Sequence, residues 1–420
     1  MRLPQSAVES GKPDCRAARS PEMYFLMRNP RRHPTNPVIY FDNNATTAVA
    51  PEVLEVMLPF LSDRYGNPSS MHRFGGLVRR QIDAARQQVA SLLGAHPEEI
   101  YFTSCGSESD SMAVVGFTKA HKSRTRIITS TVEHPAIRSL CHGLKAEGFE
   151  LAEVGVSGSG LLDPALVSRL PLDPDTLLTF MWANNETGVL FPVEELAVLA
   201  HDKGAVFHTD GVQAVGKIPI SLKASAIDML SLSGHKLHAP KGVGALYVRK
   251  GTKLSPFLVG GHQERGMRAG TENVASIVGL GKACELALAN LTEENTRVRR
   301  LRDRLEAGLL ATCTGAHLNG DPASRLPNTT NVSFEFIEGE GILLLLDEKG
   351  IAASSGSACT SGSLEPSHVM MAMGVPYTLA HSSVRLSLSR YTTDAEVDAV
   401  LAAMPAIVTR LRSLSPYVKS

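Results

Sequence analysis

From Val38 onward the chain alternates short apolar runs with amphipathic stretches, and that alternation leaves few folds open. RIITS (126–130), TLLTFMW (176–182), AVFHT (205–209), DMLSLS (228–233) and GALYV (244–248) read as strands. Residues 72–93, 108–120, 135–147 and 194–203 read as helices placed before and between them. Strands that are apolar nearly throughout are buried on both faces, and intervening helices are the crossovers a parallel sheet needs. The pattern therefore predicts a large α/β domain over 51–290 built on a mostly parallel sheet. Beyond it the texture changes: charged helical stretches, 294–312 and 393–414, flank a strand, TTNVSFEF, and an apolar helix, EGILLLLDEKG. Residues 291–420 are expected to form a smaller α+β domain.

Bulk properties narrow the function. Lys+Arg and Asp+Glu both number 42, which gives no electrostatic case for binding nucleic acid or an anionic membrane. No apolar run approaches the length of a membrane span. The six cysteines, Cys15, Cys105, Cys141, Cys284, Cys313 and Cys359, are scattered without a CxxC pair. That spacing argues against a zinc site or a disulfide framework and fits a reducing cytoplasm. Residues 1–37 are rich in Pro and Arg, have no sustained period and lack the apolar core of a signal peptide, so a disordered extension is expected.

Two strand ends carry the sharpest chemistry. The run IDMLSLSGHK ends in Ser233, Gly234 and His235, with Lys236 immediately after. A desolvated lysine loses its proton and becomes a nucleophile suited to a Schiff base. The neighbouring run, AVFHTDGVQ, ends in Asp210 with Gln213 beyond it. A lysine to hold an aldehyde and a carboxylate to hold a pyridinium nitrogen are what pyridoxal phosphate requires. Taken alone, Lys236 reads more simply as a surface lysine after a core strand. In open α/β sheets, however, ligands sit at the carboxyl ends of strands, and Asn184 and Asn185 end a third.

Other stretches fit the same picture, each with a plainer alternative. FTSCGSESDS puts Gly106 and Ser107 at a helix start, either a phosphate cup or an ordinary N-cap. STVEHPAI sets His134 before Pro135, where an imidazole can lie on a ring and relay protons, or simply pack at a strand end. GGHQERGMRAGTEN is a glycine-rich basic loop, in which the Thr271 hydroxyl is a candidate phosphate donor for a neighbouring subunit or part of a solvated turn. HSSVRLSLSR carries Arg385 in a strand-like alternation, as a carboxylate clamp or a structural ion pair. In SSGSACTSGSLEPSH, Cys359 has only small and polar neighbours up to Leu364. A structural cysteine is usually surrounded by hydrophobes, so this one reads as a nucleophile on a flexible loop.

FDNNATT, GNPSS, FTSCGSES, EHPA, ANNETG, HTDGVQAVGK, SGHKLHAPKG, GGHQERGMRAGTEN and SSGSACTSGSLEPSH together resemble the class V aminotransferase-fold cysteine desulfurases, from Val38 to the C-terminus. MWANNETG, SCGSESDS and SGSACTSGSLEPSHVM resemble most the branch that serves nitrogenase maturation. The resemblance implies a pyridoxal phosphate-dependent transferase of fold type I. Its 38–50 segment would join the small C-terminal domain, which carries the sulfur-accepting loop. It makes Lys236 the Schiff-base lysine, Asp210 the partner of the pyridinium nitrogen and Gln213 a contact to the phenolic oxygen. Gly106, Ser107, Ser233 and His235 match phosphate-binding positions, with Thr271 reaching in from the second subunit of a homodimer. Asn185 matches a cofactor contact, His134 the stacking histidine and Arg385 the substrate-carboxylate clamp. Cys359 matches the cysteine that accepts sulfur as a persulfide and transiently ligates a cluster forming on the iron–sulfur scaffold partner. Ser107 stands where many relatives have Thr, and residues 1–37 have no counterpart in the family pattern.

The implied reaction is conversion of L-cysteine to L-alanine in the cytoplasm, with the sulfur supplied to iron–sulfur cluster assembly. Housekeeping cluster assembly and selenocysteine cleavage are the alternatives of the same fold. Transamination would leave Cys359 without a task, and a non-catalytic scaffold would not need both Lys236 and Asp210.

Overall fold

The computed structural model describes residues 38–121, 125–355 and 365–416. Twelve strands are present among them. In chain order they are β1 (Ile39–Tyr40), β2 (Ile100–Thr103), β3 (Arg126–Ser130), β4 (Glu150–Val154), β5 (Thr176–Met181) and β6 (Val206–Asp210). Then follow β7 (Met229–Ser233), β8 (Gly244–Val248), β9 (Ala316–Leu318), β10 (Thr329–Phe334), β11 (Ile351–Ala352) and β12 (Ser383–Ser387).

Seven strands form the main sheet in the order β2-β8-β7-β6-β5-β3-β4. Adjacent strands from β7 to β4 are parallel, and β8 alone runs against its neighbours β7 and β2. The mostly parallel sheet expected from the apolar runs is present. Its central strands are buried at every position, as in β5, β7 and β8. Burial on both faces is why these segments read as unbroken apolar runs rather than as alternation.

Helices cover both faces. Arg73–Leu93, Val193–Asp202 and Val274–Ala289 contribute to one apolar core with Phe180, Phe207 and Leu230 from the sheet. Gly106–Ala120 and Pro135–Ala146 supply a second, in which Met112, Phe117 and Ile137 meet Ile127, Leu177 and Met229. The long helix Arg73–Leu93 stops at Gly94, whose φ of 57° lies in the left-handed region that glycine reaches without steric cost. The strands β2 and β4 and the helix Val274–Ala289 are absent from the sequence-predicted elements. That helix is apolar on most of its circumference, so it carries no clean 3.6-residue stripe to find.

A third core lies under the antiparallel sheet β12-β10-β9. There Phe41 packs among residues from Val298 to Val408, including Leu305, Phe334, Ile342 and Met404. The helices Arg299–Thr312 and Asp394–Leu414 cover it. Thr393 caps the second of these with a reciprocal bond pair, its hydroxyl accepting from Glu396 N and its own N–H donating to the Glu396 carboxylate. The short strand β1 pairs in parallel with β11, Ile39 opposite Ile351 and Tyr40 opposite Ala352. The chain then runs from β1 through Asn43, Asn44 and Ala45 to the carboxyl ends of the main-sheet strands. Asn44 is tied to both sheets, its Nδ2 donating to Thr329 Oγ1 at 2.9 Å and to the Asn185 carbonyl at 3.2 Å.

The basic loop at 260–273 is held from beneath. Arg86 forms a two-pronged pair with Glu264, both bonds 2.7 Å, and Glu264 also accepts from Phe102 N at 2.8 Å. Both side chains are buried, so each charge depends on the other.

Candidate active site

At the carboxyl ends of β5, β6 and β7 lies a cavity of about 230 Å³. Its wall includes Gly106, Ser107, His134, Asn185, Asp210, Gln213, Ser233, His235 and Lys236. Nine of the residues singled out in the sequence therefore converge on one space. Asp110, Cys105 and Ala45 line it as well.

Each side chain is positioned by local structure. β7 ends at Ser233 and tightens into a 3₁₀ turn, Gly234–Lys236, which turns the lysine to the strand mouth. Gly234 is required at that turn, because a Cβ there would lie 2.8 Å from Val243 Cγ1 and 3.0 Å from the Val243 carbonyl. Lys236 Nζ donates to the Ala45 carbonyl at 2.8 Å and to that of Asn44. On the adjacent strand β6, Asp210 is buried, and Val212 N donates to its Oδ1 at 2.9 Å. Burial raises the Asp210 pKa, while His134, the Val212 amide and Lys236 pull it back down.

The helix Gly106–Ala120 begins at the cavity with Cys105, not Ser107, in the N-cap position. No side chain caps that end, so its amides are left for an acceptor from elsewhere. A Cβ on Gly106 would meet Val212 Cγ2 at 2.8 Å and Ser233 Cβ at 3.4 Å, so only glycine keeps this edge open. The buried Ser233 hydroxyl beside it has no hydrogen-bond partner among the described residues. A buried orphan hydroxyl next to an uncapped helix start is what a phosphate site requires.

His134 caps its own helix, its Nδ1 accepting from Ala136 N at 3.1 Å. That bond assigns the ring proton to Nε2 in the neutral imidazole. Burial lowers the His134 pKa, which keeps the ring neutral, against the pull of Asp210. His235 is likewise lowered, to about 4, mainly by burial and then by Lys236.

Two candidates stand apart from this wall. Arg385 is buried on β12 and donates from Nη1 to the Asn185 carbonyl at 2.9 Å and from Nη2 to Asp42 at 2.7 Å. Its bond to the cavity wall runs to Asn185, and the ion pair weighed from its sequence setting is present. Thr271 is exposed and does not line the cavity of the single chain. Cys359 lies outside the described residues, which resume at Glu365. Close to that point Ser367 donates from Oγ to the buried Glu186 carboxylate at 2.5 Å, and His368 Nε2 lies 3.0 Å from the Glu133 carbonyl. Among the described residues no cluster of His, Cys, Asp or Glu could hold a metal ion.

Sequence reasoning missed several residues that build the site. The main-chain carbonyls of Asn44 and Ala45 hold Lys236, a role no side-chain pattern announces. Lys217 and Asp110 fall inside quoted motifs, HTDGVQAVGK and FTSCGSESDS, but each stands a few residues beyond those that drew attention first.

The class-V aminotransferase pattern matches residues 39–400. The chain belongs to the class-V aminotransferase family. Within it, the chain is 60% identical over 380 residues to the cysteine desulfurase NifS of Azotobacter vinelandii, covering 90% of this chain and 94% of that protein. A solved NifS-like protein superposes with a TM-score of 0.83 at 39% identity, over 89% of this chain and all of the other. The structure described as SspA in complex with cysteine superposes with a TM-score of 0.74 at 36% identity, over 84% of this chain and 99% of that one. The family placement accords with the two sheets and with a cavity at the carboxyl ends of the main-sheet strands.

Proposed function

We propose that this chain is a cysteine desulfurase that uses pyridoxal phosphate. It takes sulfur from L-cysteine, releases L-alanine and passes the sulfur through Cys359 to an iron–sulfur scaffold protein, with nitrogenase maturation as the destination. One observation carries the reading: Lys236 and buried Asp210 end adjacent strands and face the same cavity. The high identity to a NifS protein supports the substrate and the destination.

The residues fit the cofactor. The uncapped helix start at Gly106, the Ser107 and orphan Ser233 hydroxyls and His235 suit a phosphate. Lys236 suits the aldehyde, Asp210 the ring nitrogen and Gln213 the phenolic oxygen, with Asn185 and His134 against the ring. When bound, pyridoxal phosphate supplies an electron sink for charge that develops at the substrate Cα. Lys236 Nζ would be the base for the Cα proton. Asp210 would stand opposite the ring nitrogen; burial raises its pKa, and the Val212 amide and Lys236 act against that rise. Neutral His134, with its proton on Nε2, moves a proton at the substrate sulfur. Arg385 exchanges Asp42 for the substrate carboxylate. The Cys359 thiolate then attacks the substrate sulfur: the S–S bond forms, the Cβ–S bond breaks with its electron pair going to carbon, and the three-carbon remainder takes a proton at Cβ, regains the Cα proton from Lys236 and leaves as alanine. The same thiol is the site at which iron of the growing cluster is held transiently with the scaffold.

The homodimer belongs to this reading. Leu54, Leu58, Leu61, Tyr65, Met71 and Phe74 form an exposed apolar stretch that a second copy would cover. Exposed Thr271 is then available to the partner's phosphate site. Free cysteines Cys105, Cys141, Cys284 and Cys313 favour a reducing cytoplasm, and no single described helix is long and apolar enough to cross a membrane.

The deciding experiment mixes the purified protein, reconstituted with pyridoxal phosphate, with L-cysteine and follows alanine, sulfide and the visible spectrum together. Equal yields of alanine and transferred sulfur are expected; cysteine consumed without alanine would reject the reading. Asp210→Asn is expected to keep the fold and lower kcat by about 10²-fold, because the ring nitrogen loses its charged partner. Single-turnover alanine formation measures it, and an unchanged kcat would remove Asp210 from its role.

A further inference from the structure

Lys217 is a second buried lysine near the site, and the reaction described above does not use it. It lies four residues beyond Gln213 in the turns that follow β6. Its Nζ donates to Gln213 Oε1 at 3.0 Å and reaches Asn44 Oδ1 at 3.5 Å. The other end of the same amide, Gln213 Nε2, donates to the Asn44 carbonyl at 3.0 Å. These two bonds fix which end of the amide is oxygen, because an ammonium only donates and a carbonyl only accepts. Gln213 is buried and lines the cavity. With Oε1 turned to Lys217, the group left for the cavity is the second proton of Nε2.

We propose that Lys217 is a positioning residue: it anchors the amide oxygen of Gln213, so that Gln213 offers an N–H, and never its carbonyl, to the phenolic oxygen of the cofactor. The inference rests on the proposed cofactor and adds to it the residue that sets the polarity of this contact. Without Lys217 the amide can rotate about χ3 and present a carbonyl to a phenolate, a repulsion in place of a bond.

The surroundings of Lys217 suit an anchor. It borders a hollow of about 20 Å³ shared with Lys236, Glu294 and Arg390, room for about one water. The charges that act on it are Lys236 and Arg385, which disfavour its protonation, and buried Glu294, which favours it. Burial is the largest influence and lowers its pKa to about 7. Protonated or neutral, the amine keeps N–H groups to donate to Oε1, so the amide stays oriented across neutral pH.

The test uses the holoenzyme and the pH midpoint at which the visible absorbance of bound cofactor changes. An N–H on the phenolate favours loss of the neighbouring Schiff-base proton, so removing it raises the midpoint. Lys217→Met is expected to raise the midpoint by about 0.5–1 unit. Gln213→Leu is expected to raise it similarly, and the double variant to match Gln213→Leu alone. Lys217→Gln, which retains a donor without the charge, is expected to keep the wild-type midpoint and guards against Lys217→Met failing to fold. An unmoved midpoint in Lys217→Met would overturn the proposal. So would additive shifts in the double variant, or a shift in Lys217→Gln as large as in Lys217→Met, since both would mean that Lys217 acts by charge through space. A wild-type protein that takes up no pyridoxal phosphate would overturn the proposed function together with this inference; a coloured wild type with an unmoved variant overturns this inference alone.

Discussion

Lys236→Ala is expected to yield a folded protein that no longer fixes pyridoxal phosphate covalently and has lost at least about 10⁴-fold in kcat. Lys236 is the one lysine on the cavity wall among the described residues. The other nearby amine, Lys217, is committed to Gln213 and Asn44. Loss of Lys236 removes both the covalent attachment and the base for the Cα proton, so binding and turnover fall together. Borohydride reduction followed by peptide mapping reads the attachment directly. In the wild type the label should sit on the peptide containing SGHKLHAPK; in the variant it should vanish. A label that persists on the peptide containing Lys217 would show that the two lysines have been assigned the wrong way round.

Cys359→Ala separates the cofactor from the sulfur. The variant is expected to keep its colour and its spectral response to L-cysteine, while sulfide release falls on the order of 10⁴-fold. The residues proposed to hold cofactor line the cavity at the ends of β5, β6 and β7 and at the helix start at Gly106, and the substitution leaves each of them in place. The wild type should gain one sulfur at Cys359 after treatment with cysteine, read by intact and peptide mass. Full sulfide release by the variant would eliminate Cys359 as acceptor. Cys105, a cysteine on the cavity wall, would then be the next thiol to replace.

Much of this was legible in the order of residues. Each central strand is apolar because both faces are covered, so the parallel sheet announced itself, and strand ends pointed to Asp210, Ser233 and Lys236. Edge elements were less legible: β4 has exposed Glu150 and Glu153 around half-buried Leu151 and Ala152, with neither an apolar run nor an alternation, and β2 joins through the reversed strand β8. The site was readable where side chains do the chemistry and hidden where the main chain does. Nothing in FDNNATT tells that the carbonyls of Asn44 and Ala45 will receive a lysine 192 and 191 positions away, respectively. Arg385 shows a different limit. Its strand and burial follow from local alternation, but its present partner, Asp42, comes from the opposite end of the chain.

The pairing of Ile39 with Ile351 has a consequence for how the protein comes into being. A nascent chain leaving the ribosome can lay down β2 to β8 in sequence, because those strands find partners within the first 250 residues. The bonds of Asn43 and Asn44 to Ser387 form only once β12 has been translated, whereas those from Gln213 to Asn44 and from Thr47 to His235 lie within the first 250 residues. Truncation before β12 would therefore leave the segment that receives Lys236 without its ties to Ser387, so the mouth of the proposed cofactor site is the part of the molecule finished last.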